Sequence, residues 1–150
     1  MEYQHTQHGP MHHIISASAM LLFFISWVVP DQAPAVVPIL LIVFGCLAVV
    51  FALSFRTLTV ADDGDRLALR YGPLPLFRKS IVYSDITSVE AGKSSLIDGW
   101  GIHYVPSRGW TYNLWGYDCA TVHLGEKIIR IGSDDLENLV AFLKQKTRSA

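Results

Sequence analysis

Two long runs of apolar residues lie near the start of the chain, and short alternating runs follow them. The first apolar run covers residues 14–29 and the second covers residues 35–55, with a polar, proline-rich turn between them. At 1.5 Å per residue the second run forms a helix about 31 Å long, enough to cross a hydrocarbon core of about 30 Å. The first run needs His12 and His13, or local thinning of the bilayer, to reach across. Residues 14–55 are therefore predicted to form a hairpin of two transmembrane helices.

A cleaved signal peptide is the alternative interpretation of residues 1–35, because the sequence Ala-Pro-Ala at 33–35 loosely resembles a small-residue cleavage site. Against this alternative, no Lys or Arg precedes the first apolar run, and a second and longer run follows directly. We therefore expect the hairpin to be retained. Residues 1–13, which contain four of the six histidines, are then a polar N-terminal segment before the hairpin.

From residue 56 onward the pattern changes to period two, which is typical of half-buried β-strands. The acidic and glycine-containing stretch at 62–65 is a turn between the first two strands. Gly125 and Glu126 form a two-residue hairpin turn between the last two. Seven or eight short antiparallel strands are predicted, at residues 57–60, 66–71, 77–83, 86–91, 100–104, 110–114, 120–124 and 127–131.

The C-terminal part of the chain predicts an amphipathic helix over residues 134–146. Ser133 is a suitable N-cap, acidic residues fill the first turn, and basic residues follow near the end. Apolar residues recur at the i, i+3, i+4 and i+7 positions, namely Leu136, Leu139, Val140 and Leu143. Residues 56–150 are therefore expected to form one β-rich domain whose core is covered by this helix.

Residues 56–146 resemble the small bacterial pleckstrin-homology-like domains found on membrane proteins of uncharacterised function. The segments that carry the resemblance are residues 83–89, 99–102, 109–113 and 131–135. The resemblance implies a bent barrel of antiparallel strands with the C-terminal helix filling one end. The expected fold is thus a membrane α-helical hairpin plus an all-β pleckstrin-homology-like barrel with a C-terminal α-helix. The resemblance implies no biochemical activity, because function does not follow from fold.

Charge is distributed unevenly along the chain. All 12 Lys and Arg residues lie at Arg56 or later, and residues 11–55 contain one charged residue, Asp31. Because basic residues favour the cytoplasmic side of a membrane, we expect the turn between the helices to face outward. Both termini and the β domain are then on the cytoplasmic side of a bacterial inner membrane. The two cysteines, Cys46 and Cys119, form no disulfide framework and fit a reducing compartment.

Basic residues that follow the second apolar run are expected to lie close to lipid headgroups. Each would add roughly 1 kcal/mol of attraction to an anionic surface. The acidic turn at 62–65 opposes specific recognition of a phosphate headgroup. Beyond the hairpin the 12 basic residues are balanced by 11 acidic ones, which are the 13 of the chain less Glu2 and Asp31, so no nucleic-acid partner is expected. The lipid-proximal candidates are Arg56, Arg66, Arg70, Arg78 and Lys79.

Tryptophan and tyrosine are concentrated within residues 100–117. These residue types are enriched in protein interfaces and at membrane surfaces. Alternation places Trp100 and Trp110 on strand faces with other apolar residues, which favours their burial in the core. Trp115 and Tyr117 lie at a turn and have less reason to be buried. We therefore predict Trp115 and Tyr117 as the exposed partner-binding pair, with Trp100 and Trp110 as further candidates.

Patterns that carry catalytic chemistry are absent from the sequence. It contains no glycine-rich phosphate loop, no Gly-x-Ser-x-Gly and no His-Glu-x-x-His. His5, His8 and His12 would share one face of a helical N-terminus, but no carboxylate or thiolate is spaced to complete a metal site with them. The sequence therefore predicts a non-enzyme without a cofactor.

The junction between the hairpin and the β domain has no flexible linker. The second apolar run ends at about residue 55 and the first strand begins near residue 57, so the domain is expected to be held against the membrane. This arrangement suits a non-catalytic accessory or scaffolding subunit of a larger membrane complex, such as an energy-transducing one. Its expected partners are membrane lipids and other membrane-protein subunits. The alternative is a membrane-anchored module that senses a lipid or a ligand.

Overall fold

The computed structural model of the protein describes residues 2–94 and 100–149. All eight strands expected after residue 56 and the C-terminal helix are confirmed, and a short 3-10 turn, Tyr83–Asp85, follows the strand Arg78–Val82. One further strand precedes the hairpin. In chain order the elements are β1 (Gln4–His8), α1 (Met11–Val28), α2 (Val36–Ser54), β2 (Thr57–Asp62), β3 (Arg66–Gly72), β4 (Arg78–Val82), β5 (Ser88–Lys93), β6 (Gly101–Val105), β7 (Gly109–Asn113), β8 (Asp118–Leu124), β9 (Lys127–Gly132) and α3 (Leu136–Ser149).

Helices α1 and α2 pack side by side as the predicted hairpin, and both are long and apolar enough to cross a membrane. At 1.5 Å per residue their lengths are about 27 and 28 Å, and α1 includes both His12 and His13. Small residues lie at their contact, as is common between membrane helices. Gly45 receives the ring of Phe23, since a Cβ at this glycine would lie 2.5 Å from Phe23 Cε1. Most of the other apolar side chains of the hairpin are exposed.

Strand β1 is the element that the sequence did not predict. Residues 4–8 pair antiparallel with β2, with His8 opposite Thr57 and Gln4 opposite Ala61. Residues 1–13 are therefore not a separate polar segment, because residues 4–8 belong to the β domain and α1 begins at Met11. The helical hairpin is an insertion between two paired strands of one sheet.

The strands form two sheets. The first has the order β1-β2-β3-β4, with every neighbouring pair antiparallel. The second has the order β5-β8-β9-β7-β6. The predicted turn at Gly125 and Glu126 is confirmed, since Leu124 pairs with Lys127 across it.

The expectation that all strands are antiparallel is wrong at one pair, because β7 and β9 run parallel. The connection between β7 and β8 is only residues 114–117, too short to return along the sheet, so β7 and β8 run in opposite directions. Strand β9 is antiparallel to β8 and lies between them, which makes it parallel to β7. Gly109 permits this approach, since its backbone has φ of 79° and a Cβ would collide with the carbonyl of Ile128.

The inward faces of both sheets share one hydrophobic core with α3. The helix starts at Leu136, two residues later than predicted, and the Ser133 hydroxyl accepts a hydrogen bond from Asp135 N–H at 3.0 Å. The apolar face of α3 is buried against β5 and β8, which removes apolar surface from water and fixes the helix on the domain. The largest fully buried apolar side chains of the core are Tyr71, Leu58, Leu67, Leu69, Leu114, Ile131, Leu139, Leu143 and Val122.

Candidate functional site

An aromatic cluster joins the hairpin to the β domain. The ring of Phe55, the first residue after α2, lies 5.1 Å from the rings of both Tyr71 and Phe77. Phe77 also lies 6.0 Å from Phe51, one helical turn earlier in α2. These contacts come from the loop after β3 and from β3 itself, so the end of the helix is packed against the sheet rather than linked by free chain.

The hydroxyl of Tyr71 ties this cluster to the second sheet. It lies 3.3 Å from the carbonyl oxygen of Asn113 and 3.4 Å from that of Gly101. Burial raises the pKa of Tyr71, so the hydroxyl keeps its proton and can donate. Tyr71 therefore connects the base of α2 with β6 and β7.

A second set of contacts fixes the start of the hairpin, just before α1, to the β domain. The N–H of Gly9 donates to the carbonyl of Arg56 at 3.5 Å, which extends the β1–β2 ladder up to the base of both helices. The side chain of Gln7 is buried and donates from Nε2 to the carbonyl of Trp115 at 3.0 Å. The chain thus enters α1 and leaves α2 through backbone that is fixed in the same sheet. We call this two-point attachment the mount.

Three of the four candidate partner-binding aromatics lie at the end of the second sheet that faces the hairpin. Trp100 and Trp115 are in contact, with ring centroids 4.3 Å apart. The carbonyl of Tyr117 accepts hydrogen bonds from the N–H and hydroxyl of Ser94. Trp115 is 40% exposed and Tyr117 is 44% exposed, as predicted for this pair. We call Trp100, Trp115 and Tyr117 the basal aromatic patch.

Trp110 lies elsewhere. It is opposite Tyr104 on the β6–β7 hairpin, with ring centroids 5.4 Å apart, near the end of β6 that is far from α2. The expected burial of Trp110 is wrong, because Trp110 is 46% exposed and Tyr104 is 60% exposed. Strands β6 and β7 lie at one border of the sheet, and Tyr104 and Trp110 line the cleft between this sheet and β4 instead of the core. Alternation placed Trp110 on a strand face with other apolar residues, but it could not show which face of β7 is buried.

The five predicted lipid-proximal residues divide by position. Arg56 directly follows α2, and Arg70 and Arg78 are opposite each other on β3 and β4, near the hairpin end of the sheet. Arg66 is at the far end of β3, about 13 Å along the strand from Arg70 at 3.3 Å per residue, where it forms two hydrogen bonds with Asp65. Lys79 lines a cleft of about 630 Å³ between β4 and the second sheet.

An exposed apolar loop lies next to these arginines. Residues 73–77 connect β3 to β4, and both Leu74 and Leu76 are exposed although Phe77 is packed on α2. Arg70 and Arg78 flank the loop at its two ends. An apolar tip with a basic border is the composition of a surface that contacts an anionic membrane.

The structure separates the three candidate histidines. Strand β1 contains His5 and His8, which point to opposite faces because they are three residues apart, so the same-face helical interpretation is wrong. His5 Nε2 lies 2.6 Å from Asp134 Oδ1, and His12 Nδ1 lies 2.7 Å from the Gly9 carbonyl. Within residues 2–94 and 100–149 no three His, Cys, Asp or Glu side chains converge as a metal site would require.

A polar cluster fixes the far end of α3. Asp62, at the end of β2, accepts a hydrogen bond from the Tyr83 hydroxyl at 2.9 Å and contacts Lys146 Nζ at 2.7 Å. Desolvation of the Asp62 carboxyl acts to raise its pKa, but the hydrogen bonds from Lys146 and Tyr83 outweigh it and lower the pKa below its ordinary value. Lys146 also lies 5.2 Å from the centroid of the Tyr83 ring. The cluster therefore joins α3 to the end of β2 and to the turn that follows β4.

The remaining feature is an apolar groove of about 950 Å³ on one flank of the hairpin. Its floor is formed by both helices and its upper end by the start of β6, so it spans the junction between hairpin and β domain. It runs beside Trp100 of the basal aromatic patch. The lining residues are Met11, Ile15, Leu22, Phe44, Leu47, Ala48, Phe51, Phe55, Trp100, Gly101, Ile102 and His103.

The chain was compared with known proteins at two levels. No protein-family model matches it, and no curated protein matches it. The mount, the basal aromatic patch and the groove are the features of the chain that bear on its function.

Proposed function

We propose that this chain is a non-catalytic accessory or scaffolding subunit of a membrane protein complex in a bacterial inner membrane. In this proposal the hairpin spans the membrane and the β domain lies on the cytoplasmic surface. The observation that carries the proposal is the insertion of the hairpin between β1 and β2, which are paired with each other. A domain held in this way cannot search through solution as a tethered receptor would.

The composition around the mount supports the proposed placement of the β domain. Arg56, Arg70 and Arg78 lie at the hairpin end of the first sheet, whereas the turn between the helices has no basic residue. Leu74 and Leu76 are exposed beside the end of α2. Contact of these residues with a membrane surface would remove their apolar area from water and pair the arginines with anionic headgroups.

The basal aromatic patch is the proposed contact with a partner subunit. Trp100 lines the groove beside the hairpin, Trp115 lies next to Gly9 just before α1, and Tyr117 is two residues further along the chain. A partner that contacts this patch could therefore also contact the exposed faces of α1 and α2. Exposed Trp and Tyr side chains provide large contact area with few rotatable bonds, which is why they dominate many interfaces. A larger energy-transducing assembly is one kind of complex that such a subunit would serve.

The pleckstrin-homology-like interpretation of the β domain is part of this proposal. Two sheets followed by a packed C-terminal helix support it. The parallel pairing of β7 with β9 is a departure from an all-antiparallel barrel. The interpretation concerns architecture, and it adds no activity to the proposed role.

Native electrophoresis of gently solubilised membranes tests the proposed role. We expect the wild-type chain to comigrate with a complex much larger than a single 16.7 kDa chain. The double variant Trp115→Ala and Tyr117→Ala should reduce the comigrating fraction several-fold while the thermal unfolding midpoint changes little, because both side chains are well exposed. The matched control is Tyr104→Ala with Trp110→Ala, a more exposed aromatic pair at the end of β6 that is far from α2.

Two results would contradict the proposal. Migration of the wild-type chain alone, under conditions that preserve other complexes of the same membrane, would exclude a stable partner. Equal loss of comigration in the test and control variants would show that the basal aromatic patch is not the contact.

The second candidate function is a membrane-anchored module that senses a lipid or a ligand. The groove beside the hairpin favours it, because a concave apolar site of this size can hold a small apolar molecule. A sensor requires that occupancy change what the domain contacts. If the wild-type chain migrates alone but shifts on addition of defined lipid, this second function replaces the first.

A further inference from the structure

The length of the groove along the helices matches the thickness of the hydrocarbon layer in one leaflet of a bilayer. Along α1 it extends from Met11 to Leu22, and along α2 from Phe44 to Phe55, the residue that directly follows the helix. Eleven helical residues rise about 16 Å, and half of a hydrocarbon core of about 30 Å is about 15 Å. If the hairpin spans the membrane as proposed above, the groove opens to the lipid of one leaflet only, the leaflet on the side of the β domain.

The start of β6 closes the groove at its upper end. Gly101 sits over the base of the hairpin in a left-handed conformation, and a Cβ there would lie 3.7 Å from Phe55 Cε1 and 3.8 Å from Met11 Cε. A partner helix that crosses the whole membrane would meet β6 where it leaves the hydrocarbon layer. An acyl chain that begins at the headgroup level and ends near the bilayer centre meets no such obstacle.

A histidine lies at the β6 end of the groove. His103 lines the groove from β6, and its Nδ1 is buried without a hydrogen-bond partner among the residues that the structure describes. A buried polar atom without a partner costs roughly 1–3 kcal/mol. Because His103 lines the groove, a turn of its ring toward the groove would let Nδ1 form a hydrogen bond with an ester or phosphate oxygen of a lipid and remove this cost. Trp100, at the same level, has the residue type that concentrates at the headgroup boundary of membranes.

We propose that the groove binds one acyl chain of a glycerophospholipid from the leaflet on the β-domain side, with the lipid ester or phosphate region beside His103. The lipid then contributes to the mount, because it touches α1, α2 and β6 together. This inference rests on the proposed membrane insertion of the hairpin. It does not depend on the proposed partner subunit.

Native mass spectrometry of the full-length protein in a mild detergent tests the inference. We expect a fraction of the wild-type chain to carry one glycerophospholipid. Ala48→Phe places a ring in the groove and should lower that fraction at least fivefold. The matched control is Ala17→Phe, which adds the same ring on α1 at an exposed position outside the groove and should leave the fraction unchanged. His103→Phe should lower it by a smaller factor.

A photo-crosslinking amino acid at Leu47 identifies the occupant in the membrane. The expected product is the chain plus one phospholipid. A product containing a second polypeptide would overturn the inference in favour of a partner helix. Equal lipid retention by Ala48→Phe and Ala17→Phe would overturn it in favour of ordinary annular lipid. Neither result bears on comigration with a larger complex, so failure of the inference and failure of the proposed function are distinguishable.

Discussion

At the scale of single residues, the contact between Asp62 and Lys146 joins parts of the chain that are far apart in sequence. Asp62 ends β2, and Lys146 lies in the last turns of α3. The Asp62 side chain is only 7% exposed, so its charge is stabilised by hydrogen bonds from protein groups instead of by water. The Tyr83 hydroxyl supplies one of them and the Lys146 ammonium supplies another. The attachment of α3 thus depends on an ionised carboxylate.

This residue pair gives the stability of the domain a defined pH dependence. Because folding lowers the pKa of Asp62, its contribution is complete above the unfolded value of about 3.9 and is lost as pH falls through the folded value. Asp62→Asn should cost roughly 1.5–3 kcal/mol near neutral pH, the range for hydrogen bonds to charged groups. The difference from wild type should shrink below about pH 4. Thermal unfolding of both proteins in detergent, measured from pH 7 to pH 3, checks this.

Asp65→Asn is the control for that series. Asp65 also pairs with an arginine, Arg66, but both side chains are well exposed, so its replacement should change stability by much less. A constant difference between wild type and Asp62→Asn over the whole pH range would show that the effect does not come from ionisation.

At the scale of elements, the parts of the fold that could be predicted from sequence are those with an internal pattern. Both hairpin helices, eight strands and α3 follow from apolar length or periodicity. Strand β1 has the sequence Gln-His-Thr-Gln-His, with no apolar residue to alternate. Its place is determined by hydrogen bonds to β2 and by the Gln7 side chain, whose acceptor belongs to Trp115. No local pattern contains that information.

The strand pairing and the exposure of side chains at the border of the second sheet could not be predicted from a local sequence pattern either. The parallel contact of β7 with β9 depends on a short connection and on Gly109. The exposure of Trp110 depends on its position in the cleft between the second sheet and β4. The groove joins residues from α1, α2 and β6 that are up to 92 positions apart, from Met11 to His103. The aromatic composition indicated Trp115 and Tyr117, but the groove required the structure.

The pairing of β1 with β2 can be tested by proline substitution. The hydrogen bonds at Gly9 and at Tyr3 place the N–H groups of odd-numbered residues of β1 toward β2, and those of even-numbered residues away from it. His5→Pro should therefore remove a ladder hydrogen bond and cost at least about 1 kcal/mol, whereas Gln4→Pro should be tolerated at this sheet edge. Thermal unfolding and protease sensitivity of the N-terminus measure the difference.

His5→Ala distinguishes the contribution of the His5 backbone hydrogen bond from that of the His5 side chain in this test. It removes the contact with Asp134 but keeps the ladder. If His5→Pro and Gln4→Pro unfold at the same temperature, β1 does not contribute to the attachment of the hairpin as described.

At the scale of the whole molecule, the protein is a small β domain with an apolar hairpin inserted into its first sheet. Because of this insertion, the first sheet fixes the direction in which the hairpin points. Helix α1 begins and helix α2 ends at the same end of the paired strands β1 and β2. The aromatic cluster of Phe55, Tyr71 and Phe77 joins this end to the second sheet. The proposed partner surface and the proposed lipid site both depend on the hairpin crossing a membrane at this end.

Compartment-specific cysteine labelling tests that central claim most directly. In a chain with Cys46 and Cys119 replaced by Ala, a single cysteine is placed either at Gln32, between the helices, or at Glu126, in the β8–β9 turn. A membrane-impermeant maleimide applied to intact cells should label the Gln32→Cys protein, and should label the Glu126→Cys protein only after the inner membrane is permeabilised. Labelling of both positions from the same side would contradict the account, because the hairpin would then not cross the membrane.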